Sequence, residues 1–361
     1  MSRVAVLGAG AGGAAAAVDL TQQGHHVSLW SRSRSTIAPL TGGISFRGAL
    51  GHGRTPPRSC TTDLGAALQG AEVAVVCLPA VAHEGLARSL AQTGWARPIV
   101  LDPGGTGGAL VFRKAFLESG SPPPPIAELS TLTYIARKTA PDEVCVFAVA
   151  KAIHAAGLLG AQPALDIAER MFRGVQRDRN VLSTSLRNIN LVLHPPPAIL
   201  AAAWVEATGG DFYVYADAVT PGVYRVIESL DDERRAVGSA LGLDLPRLVE
   251  EMDAVGSVDP HAFDAGRYRD AIAGGRANST IKAPSSLDHR YYGEDLGYAV
   301  VPFTEIARIC GVATPVADSI VTIGSALLGR DLRAEGLTAD RLGIAGLDAG
   351  GLLELVGDEG R

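Results

Sequence analysis

Two stretches of this chain hold residues able to bind and transform a small molecule. The first is Gly8-Ala9-Gly10-Ala11-Gly12-Gly13, which sets Gly8, Gly10 and Gly13 at the fixed positions of a GxGxxG loop. In such a loop the first glycine permits a tight turn, the second lets backbone approach a pyrophosphate, and the third allows close helix packing; the helix N-terminus adds unpaired N–H donors and the positive end of a dipole. A lone match is weak, because glycine turns also serve packing. Here it follows an apolar run, Val4 to Leu7, and opens an alanine-rich segment, Ala14 to Gln23, which is the context dinucleotide binding requires. NAD sites usually place Asp or Glu about 20 residues further on, whereas an arginine there accommodates a 2′-phosphate. This chain reads Trp30-Ser31-Arg32-Ser33-Arg34, with no carboxylate. Ser31 as a hydrogen-bond donor and the guanidinium of Arg32 or Arg34 suit a phosphate, so NADP is expected in preference to NAD. A solvated basic turn is the plain alternative.

The second stretch is Asn188-Ile189-Asn190-Leu191-Val192-Leu193-His194, followed by three prolines. A residue before proline is pushed out of the α region, so His194 is expected at a helix end or kink. A helix C-terminus there favours imidazolium and readiness to act as an acid, although a histidine at a helix end more often caps or packs. Asn190 lies one turn earlier, on the expected face of His194. Almost a hundred residues on, Asp288-His289-Arg290-Tyr291-Tyr292-Gly293-Glu294-Asp295 gathers charge ahead of an apolar segment, Ala299 to Ala307. Charged surface loops look the same.

The elements that must position these groups follow from hydrophobic pattern. Strand-like runs at Val4–Leu7, His26–Trp30, Val73–Leu78 and Ile99–Leu101 alternate with helical segments, beginning with a βαβ unit of roughly 30 residues. That alternation predicts an α/β fold: a Rossmann-like, doubly wound parallel sheet. Such sheets bind ligands at the carboxyl ends of their strands, where Leu78-Pro79 and Pro103-Gly104 fall; these four join the expected cofactor site. Two further β-like stretches, Ala127–Tyr134 and Glu143–Val149, are expected to extend the sheet. From about Asn180 helical periodicity takes over, at Leu182–Leu193, Ala198–Ala207, Pro221–Leu241, Leu245–Val255, Tyr298–Cys310 and Ala317–Leu328. The chain is therefore divided into a dinucleotide-binding domain, 1–180, and an all-α domain, 181–361, that carries substrate and catalysis.

Composition excludes other classes. A length of 361 residues is more than one core usually serves, and 47% apolar against 19% charged residues describes a folded, well-buried chain. A net charge of −6, without a basic run, speaks against nucleic acid. The most apolar later stretch, Val144 to Ile167, is broken by Lys151, His154 and Asp166, so neither a membrane span nor a signal peptide is read. Cys60, Cys77, Cys145 and Cys310 are too scattered for a zinc site; they read as reduced, no metal is expected, and the compartment reads as cytoplasm.

Together these motifs resemble the octopine and nopaline (opine) dehydrogenase family, over nearly the whole chain. The resemblance rests on the asparagine-rich helix ending in His194-Pro195 and on His289 to Glu305, similar to the family's Arg-Tyr…Glu-Asp motif running into a Val-Pro…Glu helix. Pro103-Gly104 with Gly107-Gly108, the stretch Glu128 to Arg137, and Glu228 to Arg234 support it. The family's catalytic histidine and aspartate fall by motif position on His194 and Asp295, and its carboxylate-binding arginine on Arg290. Asn190 is a further candidate for substrate contact. The implied reaction joins the amine of an amino acid to a 2-keto acid and reduces the imine with hydride from nicotinamide. Such helical domains often pair, so a homodimer is an open expectation. A reductase of a small 2-keto or 2-hydroxy acid on the same architecture would need a lysine, and only Lys282 is available in the second half. A non-catalytic NADP-binding regulator is the other alternative.

Overall fold

The computed structural model describes residues 1–357. The chain falls into two compact units, one made of residues 1–104 and 108–184, the other of 105–107 and 185–361. The expected division after residue 180 thus compares with a passage from the first unit to the second between Thr184 and Ser185. The last four residues of the expected second domain, 358–361, lie outside the described residues.

The first unit contains twelve strands: β1 (Arg3–Leu7), β2 (His26–Trp30), β3 (Ile44–Gly48), β4 (Gly53–Thr55), β5 (Ser59–Thr61), β6 (Val73–Val76), β7 (Ile99–Leu101), β8 (Ile126–Leu129), β9 (Tyr134–Ala140), β10 (Glu143–Val149), β11 (Ile153–Gly157) and β12 (Val175–Arg177). Eight form one sheet in the order β12-β11-β8-β7-β6-β1-β2-β5, parallel throughout except where β11 meets β8. This is the Rossmann-like arrangement. All four residues of β6 and all three of β7 are buried, as expected for parallel strands covered on both faces. The register aligns Leu7, Trp30, Val76, Leu101 and Glu128 in one row. The turns that follow these residues therefore emerge side by side at the carboxyl edge.

One expectation is corrected here. Of the two β-like stretches meant to extend this sheet, only the β8 portion does so. β9 and β10 form an antiparallel pair in a separate four-stranded sheet, β4-β3-β10-β9. That second sheet packs on the helix of the glycine loop, α1 (Ala11–Gln22), whose residues 13–20 are all buried. A helix covered on two sides needs small apolar residues all round, which is why its sequence is a run of alanines with no amphipathic stripe. Tyr134 of β9 donates its hydroxyl hydrogen to Asp19 of α1 at 2.7 Å.

The second unit is helical; among the described residues its only β pairing is an isolated bridge from Tyr213 to Lys282. The helices also break more often than the periodicity implied. The expected helix Leu182–Leu193 is two, Val181–Leu186 and Ile189–Leu193, because Asn188 turns extended and its side chain caps the second by accepting the Asn190 N–H. Likewise Ala198–Ala207 belongs to Pro195–Leu200 and Ala202–Thr208. The long helix Pro221–Ala240 carries a buried ion pair, Arg234 with Asp231 at 2.7 Å. Arg234 also donates to the Leu186 and Pro246 carbonyls, and Asp231 accepts the Leu248 N–H at 2.8 Å. Every polar group of the pair is thereby used. Glu233, on the same helix, accepts the N–H groups of Val316 and Ala317 and so caps the helix Pro315–Leu328. The run Glu228 to Arg234, part of the family resemblance, contributes three scaffold residues, Asp231, Glu233 and Arg234. Arg234→Ala would leave Asp231 charged, buried and without its guanidinium, so urea unfolding is expected to show a loss of about 3–5 kcal/mol.

Candidate active site

In the first unit the turn after β1 begins with Gly8 at φ +123°, where a side-chain Cβ would stand 2.3 Å from the Cys77 carbonyl oxygen. A Cβ on Gly13 would meet the Gly8 carbonyl oxygen at 1.8 Å. Both glycines therefore serve close packing of turn, helix and neighbouring strand. Gly10 differs: a Cβ there meets nothing within 4 Å. It is also the N-cap of α1, without a capping side chain, so first-turn N–H donors face open space. A pyrophosphate fits that combination of room, donors and dipole.

Ser31 directly follows β2 and is nearly buried; its hydroxyl oxygen accepts the Ser33 N–H at 3.3 Å. Ser33 in turn caps the short helix Arg34–Ile37 by accepting the Thr36 N–H. Arg32 and Arg34 are exposed. Among the described residues no carboxylate pairs with either, which leaves two guanidinium groups beside the end of β2.

Leu78 and Pro79 follow β6, and the Leu78 carbonyl lies 3.1 Å from His83 Nε2. Burial pushes the His83 pKa down to about 4. Pro103 and Gly104 follow β7. Gly104 lies against Glu128, whose carboxylate would be 2.5 Å from a Cβ placed there. Glu128 is fully buried at the end of β8, accepting the Ala109 N–H at 2.8 Å and the Thr184 hydroxyl hydrogen at 2.6 Å. Its carboxylate thus sits at the first turn of the helix Gly108–Glu118, where negative charge is favoured. Asp102, in the turn that follows β7, is raised to about 6 by burial, opposed by the Thr133 N–H it accepts.

In the second unit His194 and Asp295, 101 residues apart in sequence, meet at 2.7 Å, Nδ1 to Oδ2, with side chains 10% and 4% exposed. A carboxylate only accepts, so Nδ1 carries the hydrogen and Nε2 is the nitrogen left to take up or deliver a proton. His194 stands at a helix end, as expected, but it does not leave the α region. Its φ of −87° and ψ of −43° are helical, because it closes the helix Ile189–Leu193 and opens Pro195–Leu200 at once. The three prolines occupy the first three positions of the second helix, where no N–H is needed. With the C-terminus of one helix and the N-terminus of another at one residue, the helix-dipole argument loses its sign, and the Asp295 carboxylate is the electrostatic partner that remains.

Asp295 ends the helix Arg290–Asp295, which passes into a π-helical turn, Leu296–Val300, and then into Val301–Ile309. Arg290 opens that helix, half-exposed, its Nε 3.5 Å from Glu294. Burial opposes its charge, but the carboxylates of Asp295 and Glu294 outweigh this and raise its pKa. Asn190 is part-exposed on the helix before His194. Neighbours that the sequence reading did not single out surround the imidazole. The Tyr291 ring lies 4.3 Å from it and the Tyr215 ring 6.2 Å, and their hydroxyls are 3.4 Å apart. Tyr215 stands on a second π-helical turn, Val214–Ala218. No helical periodicity marks such a turn, so only the polar run 288–298 could have pointed to Tyr291.

A curated relative, opine dehydrogenase of Arthrobacter sp. (strain 1C), is 34% identical over 98% of both chains. The chain belongs to the opine dehydrogenase family. It is accordingly an NAD(P)-dependent dehydrogenase acting on the CH–NH group. Residues 177–328 match the family described as NAD/NADP octopine/nopaline dehydrogenase, alpha-helical domain, and residues 3–102 the N-terminus of NAD-dependent glycerol-3-phosphate dehydrogenase. Octopine dehydrogenase solved with NADH and L-arginine shares the fold, with a TM-score of 0.76 over 100% of this chain and 99% of that one at 18% identity. Yersinopine dehydrogenase with NADP+ bound gives 0.71 over 99% and 97% at 16% identity. Structures of this fold thus hold either dinucleotide, and in this opine dehydrogenase family member the choice falls to its own residues. Among the described residues no group of His, Cys, Asp and Glu is arranged to hold a metal ion, and no helix is long and apolar enough to cross a membrane.

The glycines separate binding from stability. Gly13→Ala is expected to lower the thermal midpoint, at a cost of about 1–3 kcal/mol from overpacking, whereas Gly10→Ala melts with the parent and loses dinucleotide affinity in a fluorescence titration.

Proposed function

We propose that the protein condenses the amine of an amino acid with a 2-keto acid such as pyruvate and reduces the product to an N-(carboxyalkyl) amino acid, with NADPH preferred over NADH. The observation that carries this reading is the buried His194–Asp295 hydrogen bond. It supplies what condensation needs most: one group that both accepts and gives a proton near neutral pH, held in a single tautomer.

The amine must lose a proton to attack the keto carbon, and His194 Nε2 takes it. The carbinolamine then loses its hydroxyl as water, and the imidazolium returns a proton to that oxygen. Asp295 holds the ring and balances its charge through both steps. Arg290, its charge favoured by neighbouring carboxylates, binds the keto-acid carboxylate bidentately and so orients the carbonyl. Asn190, one turn before His194, contributes a polar substrate contact. When bound, the dinucleotide supplies the hydride that reduces the imine carbon; Gly8, Gly10 and Gly13 with the first turn of α1 would hold its pyrophosphate, and Leu78, Pro79, Pro103 and Gly104 at the strand ends would border it. Ser31, Arg32 and Arg34 would take the 2′-phosphate, and that basic, carboxylate-free strand end supports NADP.

The ligands of solved relatives support this substrate class. Octopine dehydrogenase has been captured with L-arginine, with agmatine and with pyruvate. Lys282, the one lysine open to a reductase of simple keto acids, is exposed and bound to Asp211 at 2.7 Å over the Tyr213 ring. That placement weighs against the reductase alternative. All four cysteines are free thiols, which supports a cytoplasmic location.

A matrix of amino acids against pyruvate, 2-oxoglutarate and glyoxylate, followed by NADPH and NADH absorbance, tests the whole reading; oxidation of NADPH with keto acid alone would contradict it. His194→Ala is expected to cut turnover by about 10²–10⁴ with NADPH affinity unchanged. Arg32→Ala is expected to raise KM for NADPH while leaving that for NADH near the parent value.

A further inference from the structure

Asp295 orients one edge of the His194 ring, and a second histidine governs the surface packed against that ring. His289 is the extended residue that opens the helix Arg290–Asp295, with φ −126° and ψ 154°, and its Nδ1 accepts the Tyr291 N–H at 3.3 Å. Accepting there requires Nδ1 without hydrogen, so the neutral ring carries its proton on Nε2. Burial, and after it the nearby Arg290 charge, pushes the His289 pKa below the ordinary value, in keeping with a neutral cap.

Capping alone does not account for an imidazole at this position. Asn, Asp and Ser are the strongly preferred N-caps and accept the same N–H from a shorter side chain. What the ring adds is packing. It stands edge-on to the Tyr291 ring, centroids 4.7 Å apart at 82°. An edge-to-face contact of this kind fixes both the position and the plane of the partner ring. Tyr291 is then gripped by His289 at one contact and approached by the Tyr215 hydroxyl at another, and its ring lies 4.3 Å from His194 at a tilt of 35°. With Nδ1 tied to Asp295, the motion still open to the imidazole is a swing about that bond. The Tyr291 ring limits it.

We propose that His289 is a positioning residue for His194: its ring, anchored at the helix start, holds Tyr291 where it keeps the imidazole aligned on Asp295. The proposal rests on the reading of His194 as the proton carrier, and His289 in this role touches no substrate.

Two substitutions separate the ring from the cap in the full-length protein. His289→Asn keeps a good N-cap and removes the ring; His289→Phe keeps an edge-on ring and removes the cap. Turnover with pyruvate and an amino acid that supports the reaction is measured beside the thermal midpoint and the downfield Nδ1 proton resonance of His194, identified by its loss in His194→Ala. Misalignment of a catalytic group by about 1 Å costs up to about 10²-fold, so His289→Asn is expected to slow kcat about tenfold and broaden or shift that resonance, with the midpoint and KM for NADPH unchanged. His289→Phe is expected to keep the resonance and most of kcat while melting lower. Parent-like kcat and resonance in His289→Asn would overturn the proposal, since the cap would then suffice. So would a His289→Phe variant as slow as His289→Asn, because the polar atoms of the imidazole would then matter and its packing would not. Full turnover in His194→Ala would instead sink the proton-carrier reading, a different result from either.

Discussion

One hydrogen bond between residues far apart in the chain, His194 to Asp295, sets the terms for the rest of the helical unit. Its members are almost sealed from water, so neither can be stranded without leaving an uncompensated polar or charged group in a poorly solvating interior. The segments on either side must therefore arrive at fixed positions. On one side two short helices meet head to tail at His194; on the other a helix of six residues ends at Asp295 and opens into a π-helical turn. A second π-helical turn brings Tyr215 near the same imidazole. Such turns are uncommon and cluster at functional sites, where they shift side chains away from the regular helical spacing. Here both lie beside one ring.

Carboxylates elsewhere, buried or half-buried, do a different kind of work. Glu128, Asp231 and Glu233 each accept backbone N–H groups from a segment distant in sequence. A carboxylate can satisfy several such donors at once, and charge-assisted bonds of this type are stronger than neutral ones. These residues lie in the two stretches that most extended the family resemblance beyond the site. Their role in this structure is to fix loops and helix starts, which explains why a family pattern can run through positions remote from chemistry.

The sequence made the parallel sheet and the glycine loop readable because both rest on local signals, continuous apolar runs and glycine spacing. The residues at the strand ends were equally readable, since the sheet register follows from those runs. The four-stranded sheet was not: Ile44–Gly48 and Gly53–Thr55 are short, and nothing local tells Tyr134–Ala140 which sheet it joins. That choice depends on α1, whose second face needs a cover. The meeting of His194 with Asp295 was foreseen only through family motifs, because no local rule pairs residues 101 positions apart. The helical backbone of His194 was foreseen wrongly. A pre-proline residue avoids that conformation on average, but here a following proline begins a new helix and the preference gives way.

The proline triplet has a consequence for how the imidazole is employed. A helix ordinarily starts with four amide hydrogens that lack carbonyl partners within it. At Pro195, Pro196 and Pro197 three of those hydrogens do not exist, and the Ala198 N–H makes the first regular bond of the helix, to the His194 carbonyl at 3.1 Å. The first three positions of this helix thus make no demand for an acceptor. The side chain at its threshold is accordingly released from the service that His289 performs for its own helix, and both ring nitrogens of His194 are spared for other partners. The pyrrolidine rings also restrict φ before folding begins, so less disorder is surrendered in bringing that threshold into place.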